Sequence, residues 1–101
     1  MAKKYDKVVI KTSSNPKKKL DAVFSNSTGA RTKTVSFGSK NMDDYTKTKD
    51  KAQRSRYLAR HRRNENWNSP TTAGALSRWI LWSETSRSLA LSKYKKRFNL
   101  K

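Results

Sequence analysis

One short apolar segment constrains the fold of this chain more than any other feature. Residues 72–82 read TAGALSRWILW, and they stand in a chain of 101 residues with 25 lysines and arginines, 7 acidic residues and a formal net charge of +18. Leucine, isoleucine and tryptophan are side chains that proteins bury, whereas the flanking sequence is strongly polar. The sequence therefore predicts one small folded body built around this segment and covered by positive charge.

Three short helices are predicted in the second half of the chain. The first begins near Asp43 or Asp44, either of which can serve as the N-cap, and continues to about Arg62. The second carries the apolar segment, whose large side chains recur at helical spacing and continue around most of the helix. The third covers about residues 86–98 and ends in a group of cations, which suits the C-terminal end of a helix.

A β-hairpin is predicted before the helices. Residues 20–24 form its first strand, residues 26–30 its turn and residues 32–37 its second strand, in which polar and apolar side chains alternate. An isolated hairpin is marginally stable in water, so we expect it to pack against the helices. The predicted fold is therefore α+β, with a small hairpin packed on about three short helices in a single domain over residues 20–101.

Residues 1–19 are predicted to form an extended basic arm outside that domain. The arm contains an apolar run at residues 8–10 that could form a short strand, a turn-rich linker that ends at Pro16, and three consecutive lysines. Such a segment is either a solvated tail or an arm that becomes ordered when it meets a partner.

The predicted core consists of apolar side chains that share one face of a strand or helix. Its members are Val35, Phe37, Tyr57, Leu76, Trp79, Ile80, Tyr94 and Phe98. Trp67 lies in a polar turn and admits two interpretations. It either folds back as a plug between helices or, if exposed, serves as an anchor for a protein partner.

Catalytic and metal-binding chemistry has little support in the sequence. The chain has no cysteine and one histidine, His61, which lies among arginines and reads as a surface residue. Asp43, Asp44 and Asp50 are better explained as helix caps and ion-pair partners than as ligands of Mg²⁺. We therefore expect a non-enzymatic protein without catalytic, metal-binding or cofactor-binding residues. The longest apolar run, residues 79–82, is also far too short to cross a bilayer.

The basic side chains carry the stronger functional signal. Seven lysines and arginines lie between Lys49 and Arg63, and arginine suits bidentate contacts with phosphate or carboxylate groups. The residues predicted to contact a polyanion or an acidic protein surface are Lys17, Lys18, Lys19, Lys49, Lys51, Arg54, Arg56, Arg60, Arg62, Arg63, Lys95, Lys96 and Arg97. No base-reading motif accompanies them, so any binding to nucleic acid would be independent of sequence.

Several blocks of the chain resemble a family of short basic proteins encoded by large nucleocytoplasmic DNA viruses, including algal viruses. The resemblance covers about residues 20–99 and is carried mainly by RYLARH at residues 56–61 and by TAGALSRWILW at residues 72–82. Further matching blocks lie at residues 37–40, 44–46, 64–67 and 94–98 and at Pro70. The resemblance implies a viral context, and it supplies neither an activity nor site residues.

Charge and resemblance together lead to two functional hypotheses. The first is a non-enzymatic structural protein of the virion, a minor capsid or cement component whose basic surfaces bridge acidic faces of larger viral shell proteins within a large assembly. The second is a sequence-nonspecific nucleic-acid-binding protein, either a packaged DNA-neutralising protein or a component of an RNA-rich particle. Both hypotheses predict a location in the virion, and in the host cytoplasm or nucleus during assembly.

Overall fold

The computed structural model describes residues 5–26 and 32–101, which form a small α+β fold, as predicted. A three-stranded antiparallel sheet, in the order β1-β2-β3, is followed by short helices. The strands are β1 (Lys7–Thr12), β2 (Lys18–Ser25) and β3 (Thr32–Ser39). The helices are α1 (Tyr45–Thr48), α2 (Lys51–His61), α3 (Ala73–Leu76), which continues into a π-helical segment (Ser77–Leu81), and α4 (Arg87–Arg97).

The N-terminal part of the chain differs from the predicted free arm. Residues 7–12 are an edge strand, antiparallel to β2, with Lys7 opposite Ser25 and Thr12 opposite Leu20. Val8 is 1% exposed whereas Val9 is 48% exposed, so the strand buries alternate side chains. The sequence allows a short strand at residues 8–10, but no local pattern shows that this strand pairs with β2. Residues 1–4, and the predicted hairpin turn beyond residue 26, lie outside the described residues.

The core lies between one face of the sheet and the helices. Central strand β2 places Leu20, Ala22 and Phe24 on this face at a spacing of two residues, and Ile80 and Leu81 belong to the same cluster of buried side chains. Of the predicted core residues, Phe37, Leu76, Ile80 and Tyr94 are buried, and Val35, Tyr57, Trp79 and Phe98 pack partly buried around them. Phe24 and the side chains of β1 were not among the predicted core residues.

The first predicted helix is two helices in the structure. Lys49 adopts a left-handed conformation with φ 56° and ends α1. Asp50 then caps α2, because its Oδ1 accepts the backbone N–H groups of Ala52 at 2.9 Å and Gln53 at 3.1 Å. A continuous helix was predicted because the polar residues here have no apolar periodicity that would reveal the break.

The apolar segment begins as an α-helix and widens into a π-helical turn. Thr72 caps α3 by accepting the Ala75 N–H at 3.2 Å, and the Trp82 N–H donates to the Ser77 carbonyl five residues earlier at 3.1 Å. The wider turn changes the direction in which the last side chains leave the helix. Leu81 comes so close to Gly38 of β3 that an added Cβ there would stand 2.7 Å from Leu81 Cδ1. Gly38 has φ +77°, so glycine suits this position for two reasons.

Candidate polyanion-binding surface

The cations along α2 and at its two ends form the largest exposed set among the predicted contact residues. The exposed members are Lys49, Lys51, Arg56, Arg60, Arg62 and Arg63. Arg56 and Arg60 are four residues apart, so they lie on the same face of the helix. Arg62 and Arg63 follow the helix directly, where its carbonyl dipoles favour positive charge. This side of the molecule therefore presents arginines to solvent from a rigid helix.

The three lysines at residues 17–19, where the β1–β2 turn leads into β2, differ in exposure. Lys17 is exposed and Lys18 is half-buried, but Lys19 forms an ion pair with Asp44, and its side chain is only 14% exposed. Burial alone would raise the pKa of Asp44, but hydrogen bonds from Lys19 and Thr46 outweigh burial and lower it. Lys19 thus joins the sheet to the cap of α1 and is not available as an exposed contact.

The acidic side chains are mostly consumed by contacts inside the domain. Asp21, which is 2% exposed, accepts hydroxyl hydrogen bonds from Ser13 and Ser36, each at 2.6 Å. Other contacts of acidic side chains join Asp43 to Lys47, Asp44 to Lys19, Glu65 to His61 and Trp67, and Glu84 to Lys93, and Asp50 caps α2. In residues 5–26 and 32–101, three lysines form ion pairs with carboxylates. Most of the positive charge is therefore left uncompensated at the surface.

Two predicted arginines, Arg54 and Arg97, converge with a third that the sequence analysis missed. The Nε of Arg54 donates to the Trp82 carbonyl at 2.8 Å, and the Arg97 guanidinium lies 3.9 Å from the centre of the Trp79 ring. Arg78 lies over the same ring at 4.2 Å. Arg78 was overlooked because it stands within the apolar segment. Its presence as the single cation of a segment that is otherwise built for burial was the available signal.

The other two α4 cations that were predicted as contacts, Lys95 and Lys96, directly precede Arg97. Lys96 is exposed and Lys95 is half-buried. Together with Arg97 they make the last turn of α4 positive, as the helix dipole favours. The exposed cations of α2 and those in the last turn of α4 are therefore carried by different elements.

Trp67 is held by contacts within the domain. Its indole Nε1 donates to Glu65 at 2.9 Å, its carbonyl accepts the indole N–H of Trp79 at 2.7 Å, and its ring lies 5.2 Å from the Arg78 guanidinium. The side chain is half-buried. These contacts correspond to the plug interpretation, and they leave only part of the ring available as an anchor for a partner.

A cavity of about 540 Å³ is lined in part by His61. His61 Nδ1 lies 3.0 Å from Glu65 Oε2, and Tyr57 stacks between His61 and Trp82 with ring centres 4.2 and 4.1 Å away. Burial raises the pKa of Tyr57 to about 12, so its hydroxyl stays neutral at physiological pH. Within the described ranges, no group of three or more His, Cys, Asp or Glu side chains could hold a metal ion, and no helix is long and apolar enough to cross a membrane.

Residues 8–61 match the sequence model of a protein family described as "Family of unknown function (DUF5754)". The match covers just over half of the chain, and it includes the whole sheet from the second residue of β1 and helices α1 and α2. The chain therefore belongs to this family. No curated protein and no solved structure matches the chain.

Proposed function

We propose that this member of the DUF5754 family is a non-enzymatic structural protein of a virus particle. It acts as a minor capsid or cement component, and its basic surfaces bridge acidic faces of larger shell proteins. The single observation that carries the proposal is the imbalance of charge, since the acids are spent on internal contacts while the cations of α2 and α4 face solvent. The viral context comes from the sequence resemblance.

The arrangement of the cations supports bridging. The exposed arginines of α2 and the cations at the end of α4 belong to different elements of a body whose longest extent is 42 Å. A small, rigid, positively charged body of this kind can contact two acidic neighbours at once. Arginine is the cation best suited to bidentate contacts with carboxylates. The protein then resides in the virion, and in the host cytoplasm or nucleus during assembly.

The test is to follow the protein through the opening of purified particles. Particles are treated with nuclease and opened gently, and the shell and nucleoid fractions are compared by quantitative mass spectrometry. The proposal expects the protein in the shell fraction. Chemical cross-linking of that fraction should join it to acidic segments of larger shell proteins. Release together with the genome in high salt would contradict it.

Matched charge reversals make the test specific. The variant Arg56→Glu, Arg60→Glu, Arg63→Glu changes the exposed α2 surface and should lower incorporation at least tenfold. The control Lys7→Glu, Lys33→Glu, Lys40→Glu changes the same number of exposed charges on and beside the sheet. Equal incorporation of both variants at the normal copy number would refute a role for the α2 surface.

A second function, sequence-nonspecific binding of nucleic acid, is favoured by the exposed arginines that line and follow α2. Neutralising Z phosphates gives a slope of about −0.9Z in a plot of log K against log salt for duplex DNA. Fluorescence anisotropy with a duplex of arbitrary sequence should show a steep slope that the α2 triple variant flattens and the sheet control keeps. Binding that is equally steep in both variants would contradict this function for α2.

A further inference from the structure

A second group of arginines lines a cavity of about 210 Å³, which we call the arginine pocket. Its walls carry Arg54 from α2, Arg78 and Trp79 from the π-helical segment, and Arg97 from α4. Three elements that are distant in sequence thus bring three guanidinium groups to one concave place. The exposed arginines Arg56 and Arg60 are not part of its lining.

The charge of the arginine pocket is not balanced by the protein. Glu84 is the one acidic residue among its lining residues, and it already pairs with Lys93 at 2.6 Å. The three arginines therefore keep a local excess of about three positive charges, because arginine is effectively always protonated. Like charges held this close oppose folding unless an anion offsets them.

Arg78 shows the imbalance most directly. Its Nε and Nη1 atoms are buried without any hydrogen-bond partner in the described part of the protein. The faces of Trp67 and Trp79, at 5.2 and 4.2 Å from the guanidinium carbon, partly compensate its charge. Burial, and after it the positive charges of Arg54 and Arg97, lower the pKa of Arg78. Arg78 is half-buried, and two of its three guanidinium nitrogens have lost water without gaining a hydrogen bond to the described residues. Such desolvation is costly, and an anion beside the guanidinium would offset the cost.

The side chains of the arginine pocket are held in place before any ligand arrives. Arg54 donates its Nε to the Trp82 carbonyl at 2.8 Å, which leaves its terminal nitrogens for other contacts. Arg97 packs on the Trp79 ring at 3.9 Å, and the Trp79 indole N–H is tied to the Trp67 carbonyl at 2.7 Å. A ligand would therefore lose little affinity to the ordering of these side chains.

We propose that the arginine pocket binds a single phosphate group. A phosphate has up to two negative charges and several acceptor oxygens directed tetrahedrally, so it can accept from three guanidinium groups that approach from different elements. A carboxylate has one charge and two oxygens in a plane, and it satisfies one or two arginines. The proposal goes beyond the structural role above and does not depend on it, because the site is complete within one chain.

The first experiment is calorimetric titration of the full chain with inorganic phosphate in chloride buffer of constant ionic strength. Saturable binding of one phosphate per chain is expected. Arg97→Gln and Arg78→Met should each weaken it at least tenfold. The control Arg87→Gln removes the same charge from an exposed position at the start of α4 outside the pocket, and should bind like the unaltered protein.

An NMR measurement locates the phosphate and shows whether each variant is folded. In ¹H–¹⁵N spectra, phosphate should shift the indole N–H signal of Trp79 in the unaltered protein and in Arg87→Gln. Arg97 lies at the surface, so Arg97→Gln should keep a folded spectrum even if Arg78→Met does not. Weak, unsaturable responses that are equal in all variants would overturn the proposal, and so would binding of succinate as tight as that of phosphate.

A competition experiment separates the two sources of such a group. A short single-stranded oligothymidylate is titrated into the phosphate-loaded protein. Displacement of phosphate in the unaltered protein, lost in Arg97→Gln, would support a phosphodiester of nucleic acid as the source. Binding of the oligonucleotide without displacement of phosphate would support free phosphate as the ligand. Tighter binding of a polyglutamate peptide, with displacement of phosphate, would overturn the proposal.

Discussion

The sheet and the helical side of this protein treat a buried charge in opposite ways. In the sheet, Asp21 is 2% exposed and accepts hydrogen bonds from the hydroxyls of Ser13 and Ser36 and from the Ser14 N–H. On the helical side, Arg78 has two buried nitrogens without a partner and two further arginines as neighbours. One charge is fully satisfied by the protein, and the other is not.

The difference separates a structural charge from a binding charge. Buried polar groups that serve the fold are hydrogen-bonded almost without exception, since leaving one unpaired is costly. Asp21 follows this rule on the face of the sheet opposite the core, where it lies across from Ser36. Arg78 departs from it, and departures of this kind concentrate at functional sites. The charge buried in the sheet therefore serves the fold, whereas the charge on the helical side is left for a ligand.

The largest expected effect concerns the core face of the sheet. Phe24 lies on the core face of β2 and is 0% exposed, so Phe24→Ala should lower the free energy of unfolding by about 3–5 kcal/mol. Val9→Ala, at a position 48% exposed on β1, should change it by less than about 0.5 kcal/mol. Urea unfolding followed by circular dichroism measures both. A similar loss from the two variants would contradict the assigned burial.

The next effect concerns the joint between the two regions. Gly38→Ala places a Cβ 2.7 Å from Leu81 Cδ1 at a residue with φ +77°, and should cost about 1–3 kcal/mol. In Gly74→Ala the new Cβ meets the flexible Glu65 side chain at 2.8 Å, so a smaller loss is expected, measured by the same unfolding curves. A larger loss of unfolding free energy in Gly74→Ala than in Gly38→Ala would contradict the role assigned to the close contact between Gly38 and Leu81.

Acid should remove the stabilisation that ionised Asp21 provides in the sheet. Hydrogen bonds from Ser13 and Ser36 lower the pKa of Asp21 below its ordinary value of 3.8. The stabilisation is therefore fully present above pH 3.8 and is lost as the pH falls through the lower pKa of the folded state. Asp21→Asn should be less stable than the unaltered chain at pH 7. Because asparagine does not titrate, the melting temperature of the variant should fall less than that of the unaltered chain when the pH is lowered from 5 to 2. Parallel melting curves for the variant and the unaltered chain would argue that Asp21 is not a stabilising acceptor.

The smallest expected effect concerns Arg78, two of whose nitrogens are buried without a hydrogen-bond partner among the described residues. Arg78→Met removes favourable contacts with Trp67 and Trp79, and it also removes a partly desolvated cation repelled by Arg54 and Arg97. The two changes oppose each other, so the free energy of unfolding in chloride buffer should stay within about 1 kcal/mol of the original. Chemical denaturation measures it, with Arg87→Met as the control. A loss as large as that of Phe24→Ala would make Arg78 a structural residue.

Parts of the fold could be predicted because they depend on local patterns. The helix that begins after Thr72 was predicted from the spacing of its apolar side chains, and Phe37, Leu76, Ile80 and Tyr94 were predicted in the core for the same reason. The edge strand β1 could not be recognised as part of the domain, because a strand of six residues gains its stability from pairing with β2, which no local pattern shows. The break at Lys49 was missed for a similar reason, since a left-handed residue other than glycine has little local signature.

For the candidate surface, too, some properties follow from the sequence and others follow only from the tertiary structure. That the protein is a small, strongly basic body with an aromatic core follows from the sequence alone, because charge and hydrophobicity are properties of composition. Which cations remain free is a property of the tertiary structure, which pairs Lys19 with Asp44 and leaves Arg56 and Arg60 in solvent. The grouping of Arg54, Arg78 and Arg97 around Trp79 also arises only when three distant elements pack together. Electrostatic interactions depend on distance in space, and separation along the chain does not reveal it.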